Sequence, residues 1–219
     1  IDWHRRYKLM RMHTACHLLT VVCPYPITGA SVGEEESRVD FDIPGFDSNK
    51  AEISEKLMEL VAGNHPIYVE TISAAELAAS PGLIKSKNVR PPTGNGSIRL
   101  VCIGKDASVD SQPCGGTHVS ATGQVGTLFV LGESSIGGGM RRIEAVTGRV
   151  AEELFVQQAA KLESLARKLQ TPVADLESRL DSYIQDTEEL KARLEVLERN
   201  TLRAEAEQLL QRAMGEARN

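Results

Sequence analysis

The sequence predicts a unit of mixed helices and short strands followed by an all-helical appendage. Helical and strand-like patterns alternate as far as Gly148, whereas residues 149–219 contain one proline, one glycine and many charged residues and leucines. From Leu176 onward, apolar residues recur at alternating steps of four and three. We therefore predict two parts, residues 1–147 and residues 148–219.

The first predicted helix runs from about Asp2 to Cys23. This segment has neither glycine nor proline, and its apolar residues recur at steps of three or four until Pro24 and Pro26 end the pattern. A half-buried strand is predicted next at Val39–Ile43, because apolar and acidic residues alternate there.

Helices and strands continue to alternate through the rest of this unit. Ser48 or Asn49 is predicted to cap a second helix, which ends at about Ala62 before Gly63. A glycine-rich loop at Gly137–Gly139 is predicted to close the unit. The elements between are a strand at Pro66–Ile72, a short helix at Ala74–Ala79, a loop at Pro91–Gly94, and strands at Ile98–Ile103 and Gln124–Leu131.

The appendage is predicted to contain two helices. A shorter helix at about Arg149–Leu169 precedes a longer one, with Pro172 in the break between them. The simplest arrangement is an antiparallel helix pair. The seam beyond about Leu194 is then available for a homodimer through the C-terminal helices or for a downstream domain. The coiled-coil seam consists of Leu176, Leu180, Tyr183, Thr187, Leu190, Leu194, Leu197, Thr201 and Ala204.

Bulk properties narrow the function classes. No apolar run approaches the roughly 18–20 residues that a spanning helix needs, so we expect no membrane partner and a cytoplasmic location. The net charge of −5 argues against a protein that coats nucleic acid indiscriminately, although basic residues cluster locally. In a reducing compartment, Cys16, Cys23, Cys102 and Cys114 are expected to remain thiols or metal ligands.

Two pairs of residues predict a metal site. His13 and His17 are four residues apart on the first helix, so both imidazoles leave the same face. Thr14 follows His13 where a metalloprotease would carry its glutamate base, which argues against that class. Cys114 and His118 are also four residues apart, around a Gly-Gly turn that allows their side chains to converge. Three imidazoles and one thiolate form a ligand set that Zn²⁺ prefers.

These motifs resemble those of a known family. Met12–Leu19 is similar to the HxxxH helix of alanyl-tRNA editing domains, and Gln112–Val119 looks like their CxxxH motif. Pro91–Gly94 with Ile98–Val101 resembles the free-standing editing proteins called AlaX, whereas Ser135–Gly148 resembles the alanyl-tRNA synthetase version. The resemblance covers nearly all of residues 1–147. It implies an α+β fold with an antiparallel sheet, shared with the editing domain of threonyl-tRNA synthetase, and a zinc site formed by His13, His17, Cys114 and His118.

The resemblance also implies a reaction. It is the hydrolysis of seryl esters wrongly attached to alanine tRNA, by a free-standing protein or as part of an alanyl-tRNA synthetase, with glycyl esters as a second candidate substrate. A synthetic site cannot reject glycine or serine strongly in place of alanine, so a second, hydrolytic site must correct the product. The expected partner is therefore the 3′ end of tRNA(Ala) carrying the wrong amino acid.

Several side chains are candidates for substrate contact. Thr14 is predicted to bond the serine hydroxyl, because a buried hydroxyl left unpaired would penalise the alanyl ester. Ser31 stands where many relatives carry a glutamine, so its contact with substrate is left open. The other substrate-binding candidates are Gly115, Gly116 and Thr117, and the tRNA-binding candidates are Arg90, Arg99, Arg141 and Arg142.

Two alternative functions also fit the motifs. A zinc-stapled tRNA-binding or dimerisation module without catalysis is one, because four protein ligands normally close a structural site whereas catalytic zinc keeps a position open. Deacylation of Ser-tRNA(Thr) is the other, because that system has a similar ligand pattern. The stretch Arg141–Gly148 favours the alanine system.

Overall fold

The computed structural model describes residues 1–43, 50–91 and 96–216. The predicted cap at Ser48 or Asn49 and most of the predicted loop at Pro91–Gly94 lie outside the described residues. The helices are α1 (Trp3–Val22), α2 (Lys50–Ala62), α3 (Ala74–Ala79), α4 (Gly148–Leu169) and α5 (Leu176–Glu216). The strands are β1 (Ile27–Val32), β2 (Ser37–Asp42), β3 (Ile67–Ser73), β4 (Ser97–Ile103), β5 (Asp110–Pro113), β6 (Leu128–Gly137) and β7 (Met140–Thr147).

The strands form two antiparallel sheets. One has the order β1-β2-β7-β6 and the other has the order β3-β4-β5. In the first sheet Val39 pairs with Ile143, and in the second Val101 pairs with both Val69 and Gln112. The α+β class and the antiparallel pairing agree with the expectation, but two sheets replace the single predicted one.

Two predictions about the end of this unit are wrong. The Gly137–Gly139 loop does not close the unit, because the chain continues into β7, which lies between β2 and β6. The three glycines have φ values of 91°, 61° and 80°, a left-handed region that suits glycine in a tight hairpin. The strand predicted at Gln124–Leu131 begins only at Leu128, because Thr122–Val125 forms a 3-10 turn.

Helix α1 is anchored by the main apolar core. Its first turn is capped by Asp2, whose carboxylate accepts a hydrogen bond from the backbone N–H of Arg5 at 3.0 Å. Leu18 of α1 packs in a cluster with Leu57 of α2 and Phe41 of β2, and all three are 0% exposed. Burying such a side chain contributes about 1.5–3 kcal/mol. Residues on α1 therefore keep a fixed position over the sheets.

The chain divides into two compact units, residues 1–155 and residues 156–219. The start of α4 belongs to the first unit, because Ala151 is 0% exposed and packs with Met12 and Val146. The boundary predicted after residue 147 stays a prediction. Among the described residues, no helix has the length and apolar character needed to cross a membrane.

The second unit leaves an apolar seam uncovered. On α5, Leu180 is 50% exposed, and Leu190 and Leu197 are each 63% exposed. At least half of the surface of each of these three leucines is exposed. The antiparallel helix pair, the coiled coil and the homodimer therefore stay predictions.

Candidate metal centre

Helix α1 presents two imidazoles on one face. His13 and His17 lie one turn apart, with ring centroids separated by 5.2 Å. His17 is only 5% exposed, whereas His13 is partly exposed. Because α1 is anchored by the core, the spacing of these two rings is set by the helix.

Cys114 and His118 come from the turn that follows β5. The backbone N–H of Cys114 donates to the carbonyl oxygen of Arg99 on β4 at 3.1 Å. The guanidinium of Arg99 in turn donates to the carbonyl oxygens of Cys114 and Gly116, the latter at 2.9 Å. These bonds hold the turn against the second sheet, with its thiol and imidazole directed toward α1.

The four predicted ligand side chains converge. One ligand atom from each of His13, His17, Cys114 and His118 lies within 4.8 Å of all the others. Sγ of Cys114 is 3.5 Å from Nε2 of His13 and 3.4 Å from Nε2 of His118. Bonds of about 2.0–2.3 Å in a tetrahedral zinc site place ligand atoms about 3.3–3.8 Å apart. The donor set and the two distances from Cys114 therefore fit a zinc ion.

The cluster favours the thiolate form that metals bind. Burial alone would raise the pKa of the Cys114 thiol, but hydrogen bonds from His118, His13 and His17 lower the pKa to about 3. Burial lowers the pKa of His118 to about 4, despite its bond to Cys114. Burial also acts to lower the pKa of His17, but its interactions with Asp110 and Cys114 raise the pKa above the usual value.

Thr14 lies behind His118. Its hydroxyl is 3.1 Å from Nδ1 of His118 and accepts a hydrogen bond from the backbone N–H of Val119 at 3.4 Å. Thr14 is 0% exposed. This hydroxyl therefore orients His118, and the predicted bond to a serine hydroxyl stays a prediction.

A buried carboxylate lies beside His17. Asp110 on β5 is 6% exposed and accepts hydrogen bonds from Nζ of Lys85 and from Nε2 of Gln112, the latter at 2.7 Å. Lys85 and Gln112 also donate to the hydroxyl of Thr20, at 3.0 and 3.2 Å. Burial alone would raise the pKa of Asp110, but interactions with His17, Lys85 and Gln112 hold it below its usual value.

Sequence reasoning missed this carboxylate and its partners. The available signal was spacing, since Asp110, Gln112 and Cys114 share one face if the segment is a strand. The four residues Asp110–Pro113 have no apolar alternation, so the sequence does not mark them as a strand. Lys85 lies in a loop whose approach to β5 depends on tertiary structure.

The cluster opens onto a cleft of about 640 Å³, which we name the ligand cleft. Its walls come from α1, β1, β4 and the segments at 83–86 and 89–91. His13, His17 and Cys114 line it together with Gly115 and Arg90. The metal site predicted from sequence thus lies at the surface of a cavity large enough for a small ester.

Two other residues predicted to contact substrate, Ser31 and Thr117, are not among those that line the ligand cleft. Ser31 lies on β1 between Ala30 and Val32, which line the ligand cleft, so strand alternation directs Ser31 to the opposite face. Thr117 is exposed on the turn between Gly116 and His118. Both contacts stay predictions.

Two of the four predicted tRNA-binding arginines form ion pairs within the first sheet. Arg141 pairs with Glu133, and Arg142 donates to both carboxylate oxygens of Asp40 at 2.8 and 3.1 Å. Arg99 lines the ligand cleft as Arg90 does, although its guanidinium also holds the cysteine turn. Contact with tRNA stays a prediction for all four.

Comparisons with known proteins match this site. The family model described as "Threonyl and Alanyl tRNA synthetase second additional domain" matches residues 98–144, which include Cys114 and His118. The chain is 31% identical over 208 residues to the alanine–tRNA ligase of Rhizobium johnstonii, which covers 89% of this chain and 23% of that protein. It is 32% identical over 221 residues to the enzyme of Dehalococcoides mccartyi and 33% identical over 229 residues to that of Chloroflexus aurantiacus, each covering 97% of this chain and 25% of the relative.

The chain thus spans about a quarter of the length of the curated relatives that it matches. The match includes both halves of the His and Cys cluster, because it extends over nearly the whole chain. The chain belongs to the alanyl-tRNA editing domain family.

Proposed function

We propose that this chain is a proofreading deacylase that hydrolyses Ser-tRNA(Ala), with Gly-tRNA(Ala) as a second substrate. The observation that carries the proposal is the convergence of three imidazoles and one thiol at the ligand cleft. Similarity to alanine–tRNA ligases over most of the chain favours tRNA(Ala) as the carrier of the ester.

A zinc ion would be held by His13, His17, Cys114 and His118. When bound, it supplies a Lewis acid for the ester carbonyl or lowers the pKa of a coordinated water to about 7. The thiolate form of Cys114 and the hydrogen bond between Thr14 and His118 prepare two of the ligands for this role.

The chain's own groups position the ester. Ile27, Val32 and Val39 give the ligand cleft an apolar wall that excludes bulk water from the reacting carbonyl. Gly115 lies on the cleft surface, where a backbone N–H can donate to the oxygen that becomes negative. Arg90 lines the same cleft and is our candidate to pair with a phosphate of the tRNA 3′ end.

Selection against the alanyl ester requires a group that bonds the serine hydroxyl. Thr14 is our candidate, because it follows His13 on α1 and its hydroxyl lies 3.1 Å from Nδ1 of His118. A site that bonds a hydroxyl rejects the analogue without it, since a buried polar group is then left unpaired.

A panel of charged tRNAs tests the proposal. Purified zinc-loaded protein is incubated with Ser-tRNA(Ala), Gly-tRNA(Ala), Ala-tRNA(Ala) and Ser-tRNA(Thr), and the released amino acid is measured. We expect Ser-tRNA(Ala) to be cleaved fastest and Ala-tRNA(Ala) to be spared. Preferential cleavage of Ser-tRNA(Thr) would favour the threonine system, and binding of tRNA without hydrolysis would identify a non-catalytic module.

The same panel tests Thr14. Thr14→Val keeps the shape of the side chain but loses its hydroxyl. The difference in activation free energy between hydrolysis of Ser-tRNA(Ala) and of Ala-tRNA(Ala) should therefore narrow by about 1–3 kcal/mol. Thr14→Ser keeps the hydroxyl and serves as the control. An unchanged ratio in Thr14→Val would assign this residue to orienting His118 alone.

A further inference from the structure

One ring nitrogen of His17 faces the buried carboxylate of Asp110. Nδ1 of His17 is buried, has no hydrogen-bond partner among the described residues, and lies 3.7 Å from Oδ2 of Asp110. A movement of about half an ångström would bring the pair within hydrogen-bond range. Because Nδ1 faces Asp110, Nε2 is the nitrogen left for the metal.

The carboxylate of Asp110 is held in place by two further side chains, those of Lys85 and Gln112. Oδ1 of Asp110 is paired with Nζ of Lys85, and Oδ2 accepts the amide of Gln112 at 2.7 Å. The side chain of Asp110 is 3% exposed and that of Lys85 is 22% exposed. With both oxygens engaged, the carboxylate cannot swing away from His17 without breaking a buried ion pair.

We propose that Asp110 is the positioning residue for His17: its carboxylate accepts a hydrogen bond from Nδ1–H, which selects the tautomer with a free Nε2 and so raises the affinity of the cluster for zinc. In metal-binding histidines the N–H of the second ring nitrogen commonly donates a hydrogen bond to a carboxylate. Loss of that carboxylate typically lowers metal affinity about 10–100-fold. The inference rests on the zinc-binding part of the proposed function.

Lys85 connects the same carboxylate to the wall of the ligand cleft. Its carbonyl oxygen accepts the backbone N–H of Ile27 at 2.8 Å, and the N–H of Lys87 donates to the carbonyl oxygen of Ile27 at 2.8 Å. Lys85 therefore joins strand β1, the loop at 83–86 and Asp110. One buried network fixes both a metal ligand and the surface on which a substrate would lie.

Zinc affinity of the full chain tests the proposal. Competition with a chromophoric chelator gives the dissociation constant for zinc alone, and Co²⁺ substitution gives an absorption spectrum that reports ligand geometry. We expect Asp110→Asn to weaken zinc binding about 10–100-fold and to alter the Co²⁺ spectrum. Asp40→Asn is the matched control, because Asp40 is also 6% exposed and paired with arginines but lies outside the cluster.

A purely structural role for Asp110 predicts a different pattern. Asp110→Asn would then lower the free energy of unfolding, as Asp40→Asn should. The folded Asp110→Asn protein would bind zinc with wild-type affinity and give the wild-type Co²⁺ spectrum. That result overturns the proposal and leaves the proposed deacylase intact. Failure of the wild-type chain to bind zinc would remove the metal site and this inference together.

Nitrogen NMR of the zinc-loaded wild-type chain provides a test that needs no variant. The imidazole of His17 should carry its proton on Nδ1 and bind the metal through Nε2. The opposite tautomer contradicts the proposal even if Asp110→Asn does not fold.

Discussion

The Cα of Gly116 packs so closely against the imidazole of His13 that a Cβ at this position would collide with the ring carbon and Nδ1. The second Gly of the Gly-Gly turn is thus required for the approach of the cysteine turn to the histidine helix. At Gly115, by contrast, a Cβ would have no described atom within 4 Å.

This difference predicts different zinc affinities for the alanine variants of these two adjacent glycines. Gly116→Ala should displace His13 and lower zinc affinity by about tenfold or more, because a misplaced ligand loses coordination. Gly115→Ala should leave zinc affinity within about twofold, since space is open there. Chelator competition measures both, and equal affinities in the two variants would contradict the close packing of Gly116 on His13.

Lys85 and Lys87 provide a second matched pair. Lys85→Met leaves the carboxylate of Asp110 buried without its cation and should lower the free energy of unfolding by about 2–4 kcal/mol. Lys87 pairs with Asp42 on the surface, with its own side chain 58% exposed. Lys87→Met should therefore change stability by less than about 1 kcal/mol. Urea unfolding of the two variants measures both free energies. Similar losses of stability in Lys85→Met and Lys87→Met would argue against a special role for Lys85.

Asp40 predicts a dependence of stability on pH. Burial alone would raise the pKa of Asp40, but hydrogen bonds and charges from Arg142 and Arg38 hold the pKa below its usual value. A carboxyl with a lowered pKa contributes stability that is present above its unfolded pKa of about 3.9 and is lost as the pH falls through the folded pKa. The pH window therefore lies below about 4.

Asp40→Asn removes this contribution. At about pH 7 the variant should be less stable than the wild type by about 1–3 kcal/mol, and the difference should shrink as the pH falls below about 4. Zinc-free protein is used for the urea titrations, so that release of zinc at acidic pH does not contribute to the measured stability. A difference that stays constant from neutral to acidic pH would show that Asp40 acts through shape and not charge.

The exposed seam of α5 predicts self-association. Isolated helices depend on packing of their apolar face, and the four-three spacing suits a second copy of the same helix. Light scattering should give about twice the 23.8 kDa chain mass, and Leu190→Glu with Leu197→Glu should return a monomer. Glu188→Gln with Glu195→Gln, off the seam, should leave the dimer intact. A monomeric wild-type chain would remove the dimer proposal.

The sequence predicts local features of this protein better than its tertiary ones. The positions of His13 and His17 follow from helical spacing, and the turn at Cys114–His118 follows from its glycines. Strand β7 was missed as a strand, because the adjacent Arg141 and Arg142 interrupt the apolar pattern at its start. Their charges are accommodated by Glu133 and Asp40 on neighbouring strands, which only the sheet order brings close.

The most direct test of the proposed chemistry is the zinc dependence of Ser-tRNA(Ala) hydrolysis by one preparation of protein. The rate is measured for the zinc-loaded chain, after removal of the metal by a chelator, and after zinc is restored. We predict a loss of about a hundredfold or more on removal, because the metal contributes several kcal/mol, and full recovery on restoration. A metal-free chain that hydrolyses Ser-tRNA(Ala) at the original rate would contradict a catalytic role for the His13, His17, Cys114 and His118 cluster.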